Sequence, residues 1–242
     1  MNELRPCSVT CDAMIPWSMA CCEDCEHNMD RSGNDPGPRN LTTTDDFDRR
    51  CECYPITHLY HLTHIKNLRS IRNLGLLSHN RAHDQTDPMD IADPEVIARR
   101  SGRRDTVFDR PLHDYVPLYF MYTNPMLSKR REMQSELAIL CISKSALLFD
   151  GAVFTDGNAA SGDTRFFGDC RHLDQLDWAC IRAPYWPDFP DGKRKRCAEV
   201  LVPDRLGLEH LQGVVVSNDE AARAVHGVLP QLLVRTEPKW FF

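Results

Sequence analysis

Apolar residues in this chain of 242 come mostly in short runs. The runs carry either two-residue alternation or the β-branched and aromatic enrichment of strands. Strands are predicted over 58–63, 115–122, 137–142, 152–154, 197–202, 213–216 and 232–234. Helical spacing is scarcer. Asn67 opens a helix in which Leu68, Ile71 and Leu74 share one face, and Gly75 stops it. A charged helical piece covers 93–100 inside the polar stretch 86–110. Ser217 and Glu220 have the spacing of a capping box, ahead of Ala221, Ala224, Val225, Val228 and Leu229 on one face. A short helix is expected over 173–181, a Gly/Asn/Ser loop over 156–167, and Trp240-Phe241-Phe242 as an apolar end that packs down. Many short strands with few long helices predict an α+β fold rather than a βαβ series. There is no internal repeat, no phosphate-loop glycine pattern and no GxGxxG, so an ordinary dinucleotide-binding fold has no support.

Ahead of residue 54 the periodicity disappears. Residues 30–48 are rich in Gly, Pro, Asn, Asp and Thr and read as a linker. Seven of the eleven cysteines fall in the first 53 residues: Cys7, Cys11, Cys21, Cys22, Cys25, Cys51 and Cys53. Met1 to Pro6 carries no charged-then-apolar signal, so a disulfide framework is not expected. Cys22, Cys25, Cys51 and Cys53 could hold a zinc ion, with His27 as a further ligand, although the Cys51-x-Cys53 gap is tighter than the usual spacing. A flexible tail is the other reading. The chain is therefore divided into a Cys-rich extension, 1–53, and a folded catalytic body, 54–242. Its net charge of -6 does not advertise nucleic-acid binding, which would need a local basic patch. No run of about 18 apolar residues is present, so no membrane span is expected and a cytoplasmic location follows.

Chemistry concentrates in four places. Glu199 is a lone carboxylate in the apolar run 197–202, with Lys193, Arg194, Lys195 and Arg196 just upstream. On a strand it shares one face with Cys197 and Leu201, while Ala198, Val200 and Val202 share the other. A carboxylate on a buried face is costly unless paired or used; the plainer alternative is an edge strand with Glu199 in water. His61 and Thr63 also lie two apart on a strand, where an imidazole and a hydroxyl can meet the polar edge of a ligand. Arg99 and Arg100, with Arg103 and Arg104 behind them, suit a diphosphate, or equally a solvated helix face. From His113 to Phe120 aromatics alternate with aliphatics, as in a core strand or a stacking wall for a flat ring.

These pieces stand in an order that resembles the DarT family of NAD-dependent DNA ADP-ribosyltransferases. The resemblance runs through Tyr60-His61-x-Thr63-His64-x-x-Asn67-Leu68, Ile97-x-Arg99-Arg100 and Leu112-His113-Asp114-Tyr115-Val116-Pro117-Leu118-Tyr119-Phe120. It continues through Asn124-Pro125-Met126-Leu127, Thr155-Asp156-Gly157-Asn158-Ala159, Leu176-Asp177-Trp178, Ala198-Glu199-Val200-Leu201-Val202 and the terminal Trp240-Phe241-Phe242. Residues 1–53 lie outside it, and Val200 stands where the family has Phe.

The resemblance implies an ADP-ribosyltransferase-like core of two small sheets flanking an NAD cleft, with NAD as co-substrate. It implies that His61, Thr63 and Asn67 hold the nicotinamide end, that Arg99 or Arg100 meets the cofactor and reacting centre, and that Glu199 is catalytic. The acceptor it implies is a nucleobase of single-stranded DNA, and the biological role that of a toxin paired with a DarG-type antitoxin carrying a macrodomain. Lys193, Arg194, Lys195 and Arg196 stand where the family places a substrate-facing loop and could contact DNA phosphates. His113, Tyr115 and Tyr119, with Trp178, Tyr185 and Trp186, are candidates for the target base. Competing expectations are an NAD glycohydrolase, or transfer onto RNA or protein, in the same cleft. A third is a zinc-stabilised nucleic-acid-binding protein working through the Cys-rich start.

Overall fold

The computed structural model describes Tyr54 and residues 56–242. The Cys-rich extension, with Cys22, Cys25, Cys51 and Cys53, and the linker expected over 30–48 lie outside the described residues.

Ten strands and seven α-helices are found among the described residues. The strands are β1 (His58–His64), β2 (Leu76–Leu77), β3 (Tyr115–Tyr119), β4 (Leu137–Ser143), β5 (Val153–Thr155), β6 (Phe166–Phe167), β7 (Glu199–Pro203), β8 (Arg205–Leu206), β9 (Leu211–Val216) and β10 (Val234–Thr236). The helices are α1 (Leu68–Leu74), α2 (His79–Gln85), α3 (Pro94–Ser101), α4 (Pro125–Lys129), α5 (Trp178–Arg182), α6 (Gly192–Lys195) and α7 (Asp219–Val228). Hydrogen bonding links eight strands in the order β10-β9-β4-β1-β3-β7-β5-β6, and β2 pairs with β8 as a separate ribbon. All neighbours are antiparallel except β9 and β10. The α+β class is the one expected.

The eight strands are not paired evenly. β1 runs beside β4 over its whole length, from His58 opposite Ser143 to His64 opposite Leu137. Against β3 it makes a single bridge, Tyr60 to Tyr119, and then the two strands part. The sheet is thus two four-stranded halves hinged at one bridge, β10-β9-β4-β1 and β3-β7-β5-β6, and the gap between them is the cleft. The carbonyl of Pro117, left without a β1 partner on that edge, accepts instead from His61 Nδ1 at 2.9 Å.

Alternation sets the layers. Ala138, Leu140 and Ile142 of β4, Val116 and Leu118 of β3, and Val200 and Val202 of β7 join one continuous core beneath both halves. α1 contributes Leu68 and Ile71 to it, and α7 contributes Ala221 and Val225. The opposite residues of β4, namely Leu137, Ile139 and Cys141, enter a second cluster with Tyr60 and Leu62. Trp240 caps that cluster by stacking on Tyr122, with ring centroids 3.7 Å apart, so the apolar end does pack down.

Local departures from the sequence expectation have physical causes. Helix α7 is capped by Asn218, whose Oδ1 accepts from Ala221 N–H at 2.9 Å. Ser217 turns away and donates to the Gln134 carbonyl at 3.1 Å, so the N-cap lies one residue later than expected and, with Ala221 at its third position, the helix has no capping box. Residues 173–181 split into a 3-10 turn and α5, because Asp177 caps Cys180 N–H at 3.0 Å and restarts the helix. The loop over 156–167 closes on the short strand β6, and β10 lies two residues beyond the expected 232–234. Helix α2, reading HNRAHDQ, has no apolar stripe for periodicity to detect.

Candidate active site

Glu199 opens β7, and its side chain is only 1% exposed. A buried carboxylate needs partners, and two are supplied. Arg100 Nη1 reaches Oε1 at 3.0 Å and Oε2 at 3.2 Å, and the Ala159 N–H donates to Oε1 at 2.9 Å. The backbone is held as firmly. Thr155 Oγ1 accepts from Glu199 N–H at 3.1 Å and lies 3.2 Å from the Glu199 carbonyl. Its hydroxyl also donates to Gly157 O at 2.6 Å. The 155–159 turn can lie this close because residue 157 is glycine, where a Cβ would come within 2.5 Å of the Arg194 side chain. Of the two adjacent arginines, Arg100 carries the contact; Arg99 is exposed on α3 and lines the cleft.

The cleft encloses about 480 Å³, within the range of small-molecule sites. His61, Thr63, Asn67, Arg100, His113, Tyr119 and Lys193 all line it. His61 donates through Nδ1 to the Pro117 carbonyl, which fixes the tautomer of the neutral ring and leaves Nε2 as an acceptor. Burial pushes its pKa down, keeping the ring neutral. Asn67 is more engaged than a free ligand contact would be. Its Nδ2 donates to Thr63 Oγ1 at 3.2 Å and Met89 O at 3.0 Å, while its Oδ1 accepts from Met89 N–H at 2.8 Å. It therefore ties the segment before α3 onto β1 and shapes the wall.

Tyr119 lies directly across from Glu199 in the β3–β7 register. Burial first, and then the Glu199 carboxylate, raise its pKa well above the ordinary value, so the phenol stays protonated. Tyr115, on the same face, is a correction: its ring is 1% exposed and its hydroxyl donates to Asp105 Oδ2 at 2.9 Å, leaving no open face for a base. Trp178 is likewise core, its indole donating to Leu173 O at 2.7 Å. Tyr185 is exposed, and Trp186 lies under the Arg196 guanidinium. His113 is buried between α2 and α3, its ring 4.1 Å from that of His79. Burial lowers its pKa first, His79 and Arg100 next.

The basic run is mostly engaged with partners within the protein. Arg196 is 2% exposed and donates to the carbonyls of Thr123 (2.7 Å), Ala183 (2.9 Å) and Ile181. Burial pushes its guanidinium down to about 10, still protonated at neutral pH. Four phosphate-contacting cations were expected here; Arg196 is a structural pin instead. Arg194 pairs with Asp156 at 2.7 Å and with Asp191, and Lys195 pairs with Asp177 at 2.8 Å. Lys193 is the exposed member on the cleft rim.

Sequence reasoning assigned no role to Thr155, the Ala159 N–H or Asp105. The first two lie in the Thr155-Asp156-Gly157-Asn158-Ala159 block, which was quoted for its likeness without a function.

An α+β fold that splits one sheet around a cleft, with a buried glutamate held by an arginine of the cleft lining, defines the class, an ADP-ribosyltransferase. Residues 60–242 match the family model described as "ssDNA thymidine ADP-ribosyltransferase, DarT". The chain belongs to the DarT family. It is 35% identical over 197 residues to a DNA ADP-ribosyl transferase of Thermus sp. (strain 2.9), covering 76% of this chain and 92% of that one. Solved structures described as Thermus sp. 2.9 DarT superpose with TM-scores of 0.71 (with ADP-ribosylated ssDNA; 30% identity, 77% of this chain and 97% of that one) and 0.67 (with carba-NAD+; 29%, 78% and 99%). A DNA ADP-ribosyl transferase–DNA ADP-ribosyl glycohydrolase fusion of Thermosipho africanus is 29% identical over 203 residues, covering 81% of this chain and 50% of the fusion.

Proposed function

We propose that the chain transfers ADP-ribose from NAD to a thymidine base of single-stranded DNA, with Glu199 and Arg100 at the reacting centre. The observation that carries this is the buried Arg100–Glu199 pair, whose Arg100 lines the same cleft as His61 and Thr63. Cleaving the nicotinamide–ribose bond sends the bonding electrons to nicotinamide and leaves an oxocarbenium-like sugar, as in glycoside cleavage. A preorganised carboxylate held beside that sugar stabilises the charge. His61 Nε2 can accept from the carboxamide of nicotinamide, and Asn67 keeps Thr63 and Met89 in place around it. Thymidine has one ring nitrogen outside its own glycosidic bond, N3, and it bears a proton. Attack at C1′ forms the new N–C bond as N3 loses that proton to the pair, whose anionic member is Glu199. Tyr119, opposite Glu199 and protonated, is the aromatic that meets the base.

The folded catalytic body is 54–242. A toxin role, with an antitoxin of the DarG type that carries a macrodomain and removes the mark, is supported by the transferase–glycohydrolase fusion among its relatives. No helix among the described residues is long and apolar enough to cross a membrane; with NAD and DNA as substrates we place the protein in the cytoplasm.

Mass spectrometry of short single-stranded oligonucleotides incubated with NAD tests the reading. Thymidine-containing strands should gain the mass of one ADP-ribose, and thymidine-free strands should not. No adduct on any strand, with free ADP-ribose released equally with and without DNA, would replace it by NAD hydrolysis.

A further inference from the structure

Helix α2 carries two histidines one turn apart, His79 and His83, and the segment before α3 brings Asp90 against them. One ligand atom from each of the three lies within 4.8 Å of the others. His83 Nε2 and Asp90 Oδ2 are already 3.1 Å apart, close to the edge of about 3.4 Å that a tetrahedral zinc with bonds near 2.1 Å requires. We propose that His79, His83 and Asp90 form a binding site for a borderline divalent cation, zinc above all, that staples α2 to the segment leading into α3.

The donor set is two imidazoles and one carboxylate, which suits zinc among the common biological cations. The i, i+4 spacing puts both rings on one side of the helix, and they sit 4.3 Å apart. His83 and Asp90 are each 42% exposed, so both can turn toward His79 to close the remaining distance among the three ligand atoms. The fourth position faces the cleft, because all three residues line it. The staple has a mechanical consequence. The 86–92 stretch is otherwise tied down through Thr86 to the Ala82 carbonyl at the end of α2, through Met89 to Asn67, and through the Ile91 and Ala92 carbonyls to Arg130. A cation at Asp90 adds a bond from this stretch to α2 and fixes the mouth of the cleft. The assignment does not rest on the proposed reaction, and none of its three ligands is used there.

The full-length protein should be dialysed against zinc and its metal content measured beside a His83→Ala/Asp90→Ala double variant. Both replaced residues are exposed, so the variant should melt within a degree or two of the wild type in chelator. Wild type should retain about one more equivalent of zinc per chain than the variant. Zinc should raise the melting temperature of the wild type, and raise that of the variant less. Comparing the two chains cancels zinc held by the cysteines of residues 1–53. Equal zinc content in the two proteins, or an identical zinc-induced shift, would overturn the assignment and leave His83–Asp90 as an ordinary surface ion pair.

Discussion

At the proposed reacting centre one nitrogen, Arg100 Nη1, spans both oxygens of Glu199. That contact separates two arginines which the sequence presents as equals. Adjacent residues on a helix point about 100° apart, so only one of Arg99 and Arg100 can face β7. Arg100→Lys should lower the DNA-modification rate by about 100-fold, through loss of the rigid planar guanidinium that places Nη1 on both oxygens; Arg99→Lys should change it no more than a few-fold. Single-turnover rates on a thymidine oligonucleotide check both, and the reverse ranking would move the role to Arg99. Glu199→Gln keeps the shape and removes the charge. Its rate should fall about 1,000-fold or more, while the circular dichroism spectrum stays that of the wild type. Glu199 itself was legible as a carboxylate inside an apolar strand. Its partners were not, since the Ala159 N–H carries no side-chain signature and Thr155 is one threonine among several.

At the scale of single elements, two polar side chains nucleate local structure. Asn218, not Ser217, caps α7. Asn218→Ala should cost about 1 kcal/mol in urea unfolding, and Ser217→Ala should cost less. Asp105 organises the 105–110 turn by accepting from the N–H groups of Val107 (2.9 Å), Phe108 (2.7 Å) and Arg110 (2.8 Å), and from Tyr115 OH. Burial alone would raise its pKa, but these hydrogen bonds outweigh it and hold the carboxyl below its ordinary 3.8. A group whose folded pKa lies below its unfolded one stabilises the fold above the unfolded value and loses that contribution as pH falls through the folded value. Asp105→Asn should therefore cost about 2 kcal/mol at pH 7, and the gap to the wild type should narrow as urea titrations are moved from pH 5 towards pH 3. A gap that stays constant with pH would mean the charge is not what stabilises the turn. The strands expected over 58–63, 115–122 and 137–142 were readable because alternation is local, although β3 stops at Tyr119. α2 was not, because its stripe is polar and its place comes from contacts far along the chain.

Across the whole molecule, the proposed hold on DNA depends on a division of labour in the basic run. Lys193 is exposed on the rim, whereas Arg196 pins Thr123, Ile181 and Ala183 in the interior. For single strands the salt slope is about 0.7 per phosphate contact. Lys193→Ala should accordingly flatten the log–log salt dependence of oligonucleotide binding by about 0.7. Arg196→Ala should instead destabilise the fold by about 3 kcal/mol, by orphaning buried carbonyls. If Lys193→Ala leaves the slope unchanged, the DNA path lies elsewhere. The sequence by itself determined the α+β class, the alternation that puts Glu199 on the face opposite Val200 and Val202, and the ordered pieces that carry the family likeness. These are properties of side-chain order over a few residues, where steric and hydrophobic preferences are written directly into the chain. Only the tertiary structure decided that β1 and β3 part after a single bridge to open the cleft, and that Arg100 rather than Arg99 reaches Glu199. It alone engaged three of four neighbouring cations with partners in the protein and gathered His79, His83 and Asp90. The cleft and the Arg100–Glu199 contact depend on groups tens of residues apart meeting when two half-sheets and their helices dock, and the geometry of that docking is a sum over many distant contacts that no local pattern encodes.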